Sequence, residues 1–305
     1  MQQLESRLPA ARPSALQAWI AAARPRTLTI AAVPVLVGAA LARAETAQFE
    51  PVVTVAALVA AVLIQVGTNM QNDLGDYERG ADATERLGPP RVTSMGWIAP
   101  GDMRLGVALA FGLACLVGSY LAWRGGWPIL VAGLASIAAG IAYTSGPRPI
   151  AYTGLGELFV LVFFGIVAVC GTYYLEAFRL SWSAATAGVM IGMLAAAILV
   201  VNNYRDIESD RRVGKHTLAA CFGRKFARAE YAFLVVAPFA LLPALGALQG
   251  LRPSAMLPFA ALPWAILLAR RIGSAPPGRW LNRLLGQTAG LQLGFALLLI
   301  ASFLL

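Results

Sequence analysis

The sequence predicts an all-α integral membrane protein, a single domain over residues 1–305 built as a bundle of nine transmembrane helices. Three observations carry that expectation. Apolar residues make up 58% of the chain and charged residues only 13%, with a mean hydropathy of +0.68, which exceeds what an ordinary soluble domain of this length shows. Apolar runs near the ~20 residues that cross a bilayer recur from one end to the other. The positive charge collects in alternate loops instead of spreading evenly.

Each element follows in order. Residues 14–23, Ser-Ala-Leu-Gln-Ala-Trp-Ile-Ala-Ala-Ala, read as a short interfacial helix with Trp19 at headgroup depth. Nine spans are placed at about 28–43, 51–71, 104–123, 127–144, 155–175, 183–203, 230–249, 254–270 and 284–304. In lipid these runs satisfy their own backbone groups only as helices. The eighth is interrupted by Pro258 and Pro263. The first follows Arg24 and Arg26 and ends Ala40-Leu41-Ala42, which imitates a cleaved signal peptide. Eight further spans behind it argue for retention. Short polar loops imply antiparallel neighbours, and Gly106, Gly112, Gly118, Gly133 and Gly140 are placed to allow close helix contact.

Charge sets the orientation. With the N-terminus cytoplasmic and the C-terminus outside, all of the 24 Lys and Arg except Arg43, Arg124, Arg179 and Arg252 fall on the cytoplasmic side. That bias explains the net charge of +9 as topology, not as a nucleic-acid surface. The cysteines Cys115, Cys170 and Cys221 have no metal-ligand spacing, and a disulfide framework is not expected. His216 is the single histidine, which excludes a multi-histidine metal site and His-based triads.

Two acidic clusters stand out against this background. Asn69-Met-Gln-Asn72-Asp73-Leu-Gly-Asp76 closes the second span and continues through Gly80 to Asp82; Asn202-Asn203-Tyr204-Arg205-Asp206-Ile-Glu-Ser-Asp210 closes the sixth and continues to Gly214 and Lys215. Ionisable groups at the end of an apolar run are costly and mark function. Each cluster opens one of the two longest cytoplasmic segments, 72–103 and 204–229, expected as active-site loops. The order span, acidic cluster, basic loop, two spans and short loop occurs once in each half. It suggests a pseudo-repeat of two four-helix units plus one helix, each half offering carboxylates to a shared cavity.

The spacing points to chemistry. Asn69, Asp73 and Asp76 share one helical face, as do Asn202, Asp206 and Asp210. Carboxylates one turn apart suit Mg²⁺, which takes one or two of them together with substrate phosphates and water. Gly75 and Gly80 would let the chain leave the helix and return Asp82 to the site. A diphosphate also needs direct cations, and Arg86, Arg91, Arg148 and Lys215 are the candidates. Metal and cations together would stabilise a departing diphosphate while an allylic C–O bond breaks. The carbocation then alkylates an electron-rich ring, with Tyr143 and Tyr204 offering π faces to it. Glu157, after Gly154-Leu-Gly156, either orients or deprotonates the acceptor or pairs with Arg148. Glu78, Glu85, Asp102 and Glu208 read as solvated.

These residues resemble the UbiA superfamily of intramembrane aromatic prenyltransferases. The likeness rests on five stretches: Ala23-Arg24-Pro25-Arg26-Thr27-Leu28; Asn72-Asp73 through Asp82; Arg86-Leu-Gly88-Pro89-Pro-Arg91-Val-Thr93; Tyr143-Thr-Ser-Gly146-Pro147-Arg148-Pro149 with Gly154-Leu-Gly156-Glu157; and Asn202 through Asp210, Lys215 and Thr217. Within the superfamily they are most similar to enzymes acting on 1,4-dihydroxy-2-naphthoate. The resemblance implies Mg²⁺, two ions, held by Asp73, Asp76, Asp82, Asp206 and Asp210. It implies a polyprenyl diphosphate gripped by Asn69, Asn72, Arg86, Arg91, Arg148, Asn202 and Lys215. It places Arg24 with Tyr143 and Tyr204 near the acceptor and cation. It further implies a lateral opening for the prenyl tail and loss of CO₂ as prenylation replaces the carboxyl group. Other acceptors, such as 4-hydroxybenzoate or a chlorophyllide, would keep the same mechanism. The Asp-Gly-x-x-Ala-Arg element of CDP-alcohol phosphatidyltransferases is absent. A secondary transporter would place its ionisable groups nearer the bilayer centre.

Overall fold

Proline sets where the helices of this bundle begin. It occupies the first turn at Pro25, Pro51, Pro100, Pro128 and Pro253, where its missing N–H and fixed φ cost nothing. The computed structural model describes residues 13–80, 87–88, 91–274, 276 and 278–305, and among these there is no strand. Asp82 and Arg86, expected at the site, lie outside the described residues.

The order is α1 (Ala15–Ala23), α2 (Pro25–Thr46), α3 (Pro51–Glu78), α4 (Pro100–Gly125) and α5 (Trp127–Ala142). After a 3-10 turn at Ile150–Tyr152 come α6 (Gly156–Leu161), a π-helical segment at Val162–Val167 and α7 (Ala168–Ala177), joined as one rod. Then follow α8 (Trp182–Arg205), α9 (Ile207–Arg212), α10 (Leu218–Ala240) and α11 (Leu242–Leu248). A 3-10 segment at Pro253–Ala261 leads into α12 (Leu262–Arg271), and α13 (Leu281–Leu304) ends the chain. Among the described residues, eight of these rods are long and apolar enough to cross a membrane; α5, at 16 residues, is a shorter apolar helix where the fourth span was expected.

The segment expected as an interfacial helix forms α1. Ser14 Oγ accepts from the Gln17 amide at 3.3 Å and Gln17 Oε1 accepts from the Ser14 amide at 3.0 Å, a reciprocal cap. Leu16 and Ile20 stay exposed while Ala18 and Ala22 are buried. Trp19 lies against Gly106 of α4, where an added Cβ would stand 2.6 Å from the indole ring. Gly140 likewise meets Thr68. Gly112, Gly118 and Gly133 have nothing within 4 Å of an added Cβ, so the expectation of close contact holds at two of the five positions.

The bundle is organised around α8, whose apolar window is 78% buried against 28–50% for the other long rods. Its small residues make that possible: Gly188 and Gly192 face Gly165 of the π-helical segment, backbone against backbone. Several expected boundaries shift. Helix α3 continues to Glu78, so Asn72, Asp73 and Asp76 are helical, with both aspartates buried, and are not part of a loop. Gly75 does not release the chain; it packs against Thr144, and Gly80, at φ +62°, makes the turn. The expected loop 204–229 shrinks to a short connection, because α10 begins at Leu218 with Thr217 as its N-cap. The amphipathic first turns of α10 kept them below the hydropathy of a span.

Candidate active site

An apolar cavity of about 490 Å³ runs through the bundle between α2, α3, α4, α5, α6 and α8, a size common for ligand sites. Phe159, Phe163 and Phe164 form one wall, and Phe159 and Phe163 stack with ring centroids 5.8 Å apart. Phe163 and Phe164 come from the π-helical segment, a local widening of the helix often found at functional sites.

One end of the cavity is polar. Asn69, Asn72, Asp76, Arg91, Asn202, Asn203 and Lys215 line it, with Arg24 and Tyr143 beside them. Residues of both clusters therefore line one cavity at the C-terminal ends of α3 and α8, Asp76 from the first and Asn202 and Asn203 from the second, while Asp73, Asp206 and Asp210 stand outside its lining. Asp76 is buried and paired with the Arg91 guanidinium, and Lys215 Nζ stands 3.8 Å from its other oxygen. Asp73, 2% exposed, accepts from the amides of Val92 at 2.9 Å and Thr93 at 2.8 Å. These bonds fix the segment that carries Arg91. Asp206 is gripped by its neighbour Arg205, at 2.8 Å from Nε and 2.6 Å from Nη2. Arg205 also donates to Asn202 and Asn282, both at 2.7 Å, which ties α8 to the start of α13. Asp210 is buried in the first turn of α9.

The asparagines divide their work. Asn69 donates to Ala23 O at 2.9 Å and Thr27 Oγ1 at 3.1 Å, so it fastens the α1–α2 corner that presents Arg24. Arg24 itself takes a left-handed conformation, φ 54°, at that corner. Asn72 accepts from Thr144 at 3.1 Å.

Three expected positions are displaced. Tyr204 is fully buried on the far side of α8, and its hydroxyl accepts from Arg228 at 3.0 and 2.9 Å. It stands two residues from Asn202, which is roughly 200° around a helix, so it cannot share the cavity face. Arg148 is exposed and does not line the cavity. Glu157 does not pair with it; it accepts from Asn203 at 2.7 Å behind the cavity wall. Glu78 and Glu208 are exposed as expected, in ion pairs with Arg104 and Arg224, and Asp102 is exposed too.

Sequence reasoning missed Asn203, Arg205 as a clamp, and Tyr152. Tyr152 carries Arg79 and Lys215 over its ring, at 5.5 and 5.3 Å from the centroid. Burial, then Asp76 and Asp210, pushes its phenol above the usual range against the opposing pull of Arg79 and Arg91, so it stays neutral.

The donor set suits a hard cation. It is made of oxygen, with no histidine or cysteine, and Mg²⁺ asks for one or two carboxylates plus phosphate and water. Among the described residues no three acidic, His or Cys side chains form a ready-made cage. A carboxylate has about four acceptor sites, so the two amides on Asp73 leave it capacity.

Fold and site define a multi-pass membrane protein with an apolar cavity closed by a polar end of asparagines, Asp76, Arg91 and Lys215. The chain belongs to the UbiA prenyltransferase family, whose sequence model matches residues 31–304, and it is a prenyltransferase of that family. It is similar to a 1,4-dihydroxy-2-naphthoate octaprenyltransferase of Escherichia coli K12, 39% identical over 229 residues, covering 73% of this chain and 74% of the relative. The enzyme of the same name from Mycobacterium tuberculosis H37Rv is 35% identical over 286 residues, covering 92% of this chain and 94% of the relative. A UbiA homologue from Archaeoglobus fulgidus, solved with GPP and Mg²⁺, superposes with a TM-score of 0.69 at 16% identity, over 94% of this chain and all of that one. At that identity the superposition establishes the shared fold.

Proposed function

We propose that this prenyltransferase joins a polyprenyl group from its diphosphate to 1,4-dihydroxy-2-naphthoate. Diphosphate and CO₂ leave, and demethylmenaquinol is the product. The observation that carries the reading is the polar cavity end, where Asp76 of the first cluster and Asn202 and Asn203 of the second stand with Arg91 and Lys215 above an apolar, phenylalanine-lined space. A prenyl diphosphate has the matching form, a strongly anionic head on a greasy tail. The names of the relatives from E. coli and M. tuberculosis supply the acceptor.

The residues act as follows. Asp73, Asp76, Asp206 and Asp210, with Asp82, would hold two Mg²⁺ ions, which supply charge neutralisation for the leaving diphosphate. Arg91 and Lys215 now compensate Asp76; when an anion enters they turn to its oxygens. Asn72 and Asn202 offer side-chain amides to the same head group, and Asn69 keeps Arg24 at the cavity. Breaking the C–O bond leaves an allylic cation facing Tyr143 and the phenylalanine wall, whose π faces stabilise it. The naphthoate carbon that bears the carboxylate gives its electrons to the cation, and CO₂ departs as the ring regains aromaticity. Glu157, held by Asn203, takes the role of orienting the acceptor from behind the wall. The site faces the cytoplasm in the inner membrane, the side on which Lys and Arg accumulate.

The test is release of diphosphate by purified protein given prenyl diphosphate and 1,4-dihydroxy-2-naphthoate. Excess EDTA should stop release and added Mg²⁺ should restore it. Full activity in EDTA would contradict the reading.

A further inference from the structure

Tyr152 lies where three separate segments meet. Arg79 caps α3, just past the first acidic cluster. Lys215 follows the second cluster, in the connection between α9 and α10. Tyr152 ends the 3-10 turn between them in sequence, and both cations sit over its ring within the ~6 Å at which a π face attracts charge. Arg79 is also bound to the loop that leads from α5 into this turn: its Nε donates to Thr144 O at 3.2 Å and its Nη2 to Gly146 O. Lys215 Nζ is placed between this ring and Asp76, and its side chain is only 18% exposed.

The contacts of Tyr152 come from its ring. Its hydroxyl is buried and has no hydrogen-bond partner among the described residues. A lysine on a short connection has many rotamers of similar energy, and an ammonium is useful to an anion only if it already points at it. A ring face fixes that direction without neutralising the charge, whereas a second carboxylate would compete with the diphosphate.

We propose that Tyr152 is a positioning residue for the diphosphate, its ring holding Lys215 at the polar end of the cavity and joining the segments that follow the two acidic clusters. This rests on the diphosphate reading given above. Tyr152 touches no reacting atom; it acts through Lys215.

The experiment measures binding of Mg²⁺-pyrophosphate by calorimetry, and KM for prenyl diphosphate and for acceptor, in five proteins: wild type, Tyr152→Leu, Tyr152→Phe, Lys215→Ala and the Tyr152→Leu/Lys215→Ala double variant. Tyr152→Leu should weaken pyrophosphate binding and raise the prenyl diphosphate KM by about fivefold, leaving the acceptor KM alone. Tyr152→Phe should recover affinity to within about twofold of wild type, because the ring is retained. The double variant should match Lys215→Ala, since neighbours acting as one unit are not additive. Equal losses in Tyr152→Phe and Tyr152→Leu, additive losses in the double variant, or an equal rise in acceptor KM would each overturn the proposal. Should Tyr152→Leu not fold, fluorinated phenylalanines at position 152 keep the shape and drain the ring of charge. Affinity should then fall with each fluorine, and a constant affinity would overturn the proposal. A wild type that binds no Mg²⁺-pyrophosphate would remove the diphosphate reading itself, and the role of Tyr152 with it.

Discussion

Replacing Asp73 by Asn changes one atom at the best-defined carboxylate of the site, and its cost follows from geometry. Asp73 is 2% exposed, and its two oxygens accept separately, Oδ2 from Val92 N at 2.9 Å and Oδ1 from Thr93 N at 2.8 Å. An asparagine keeps one acceptor and turns an NH₂ group toward the other amide. One buried N–H is then unsatisfied, at about 1–3 kcal/mol, and the surviving bond loses its charge assistance. The segment that loosens is the one presenting Arg91 to Asp76. Turnover should fall by at least about a hundredfold, the usual loss when an electrostatic element of a site is removed. The variant should still fold, with a lower unfolding midpoint. The assay pairs turnover with thermal unfolding followed by tryptophan fluorescence in detergent. Near-normal turnover with an unchanged midpoint would refute both the anchoring role and the metal role of Asp73.

Three other predictions concern packing, the displaced tyrosine and topology. Gly192→Ala places a Cβ 2.5 Å from Leu161 O and 3.1 Å from Gly165 Cα, so α8 and the π-helical segment must part, at about 1–3 kcal/mol; an unchanged unfolding midpoint would contradict that packing. Tyr204→Phe removes the acceptor of two Arg228 bonds and should destabilise by about 1–3 kcal/mol with turnover per folded molecule preserved; a tenfold drop in turnover at full folding would return Tyr204 to the site. A reporter fused after Leu305 should appear outside the cytoplasm, and a cytoplasmic signal would mean that the number of spans is even.

Most of the bundle is legible in the chain because lipid makes apolar length and helix nearly equivalent. Hydropathy locates the rods but not their ends. Helix α3 carries Asn69 through Asp76 past its apolar run, since these polar groups are satisfied by Thr27, Thr144, Val92 and Arg91, contacts between distant residues that hydropathy does not register. The site is legible where side chains of one helix share a face, as Asn69, Asp73 and Asp76 do. It is not legible where partners come from different segments. Tyr204 and Asn203 are adjacent in sequence, yet one is held by Arg228 in α10 and the other by Glu157 in α6. Tyr152 matters because residues 79 and 215 reach it, and no local pattern marks such a meeting. The π-helical turn at Val162–Val167 has no composition of its own either; within it Gly165 closes on Gly188 and Gly192 of α8, a contact between distant segments.

The most direct measurement weighs the product. Purified protein in detergent, with Mg²⁺ and farnesyl diphosphate, is offered 1,4-dihydroxy-2-naphthoate and 4-hydroxybenzoate in parallel, and the products are read by mass spectrometry. The account predicts a prenylated naphthoquinol lacking the carboxyl group, and none from the benzoate. Prenylated hydroxybenzoate alone would contradict the acceptor assignment while leaving the diphosphate end intact. Folded protein that prenylates neither, with a longer donor also supplied, would contradict the central claim.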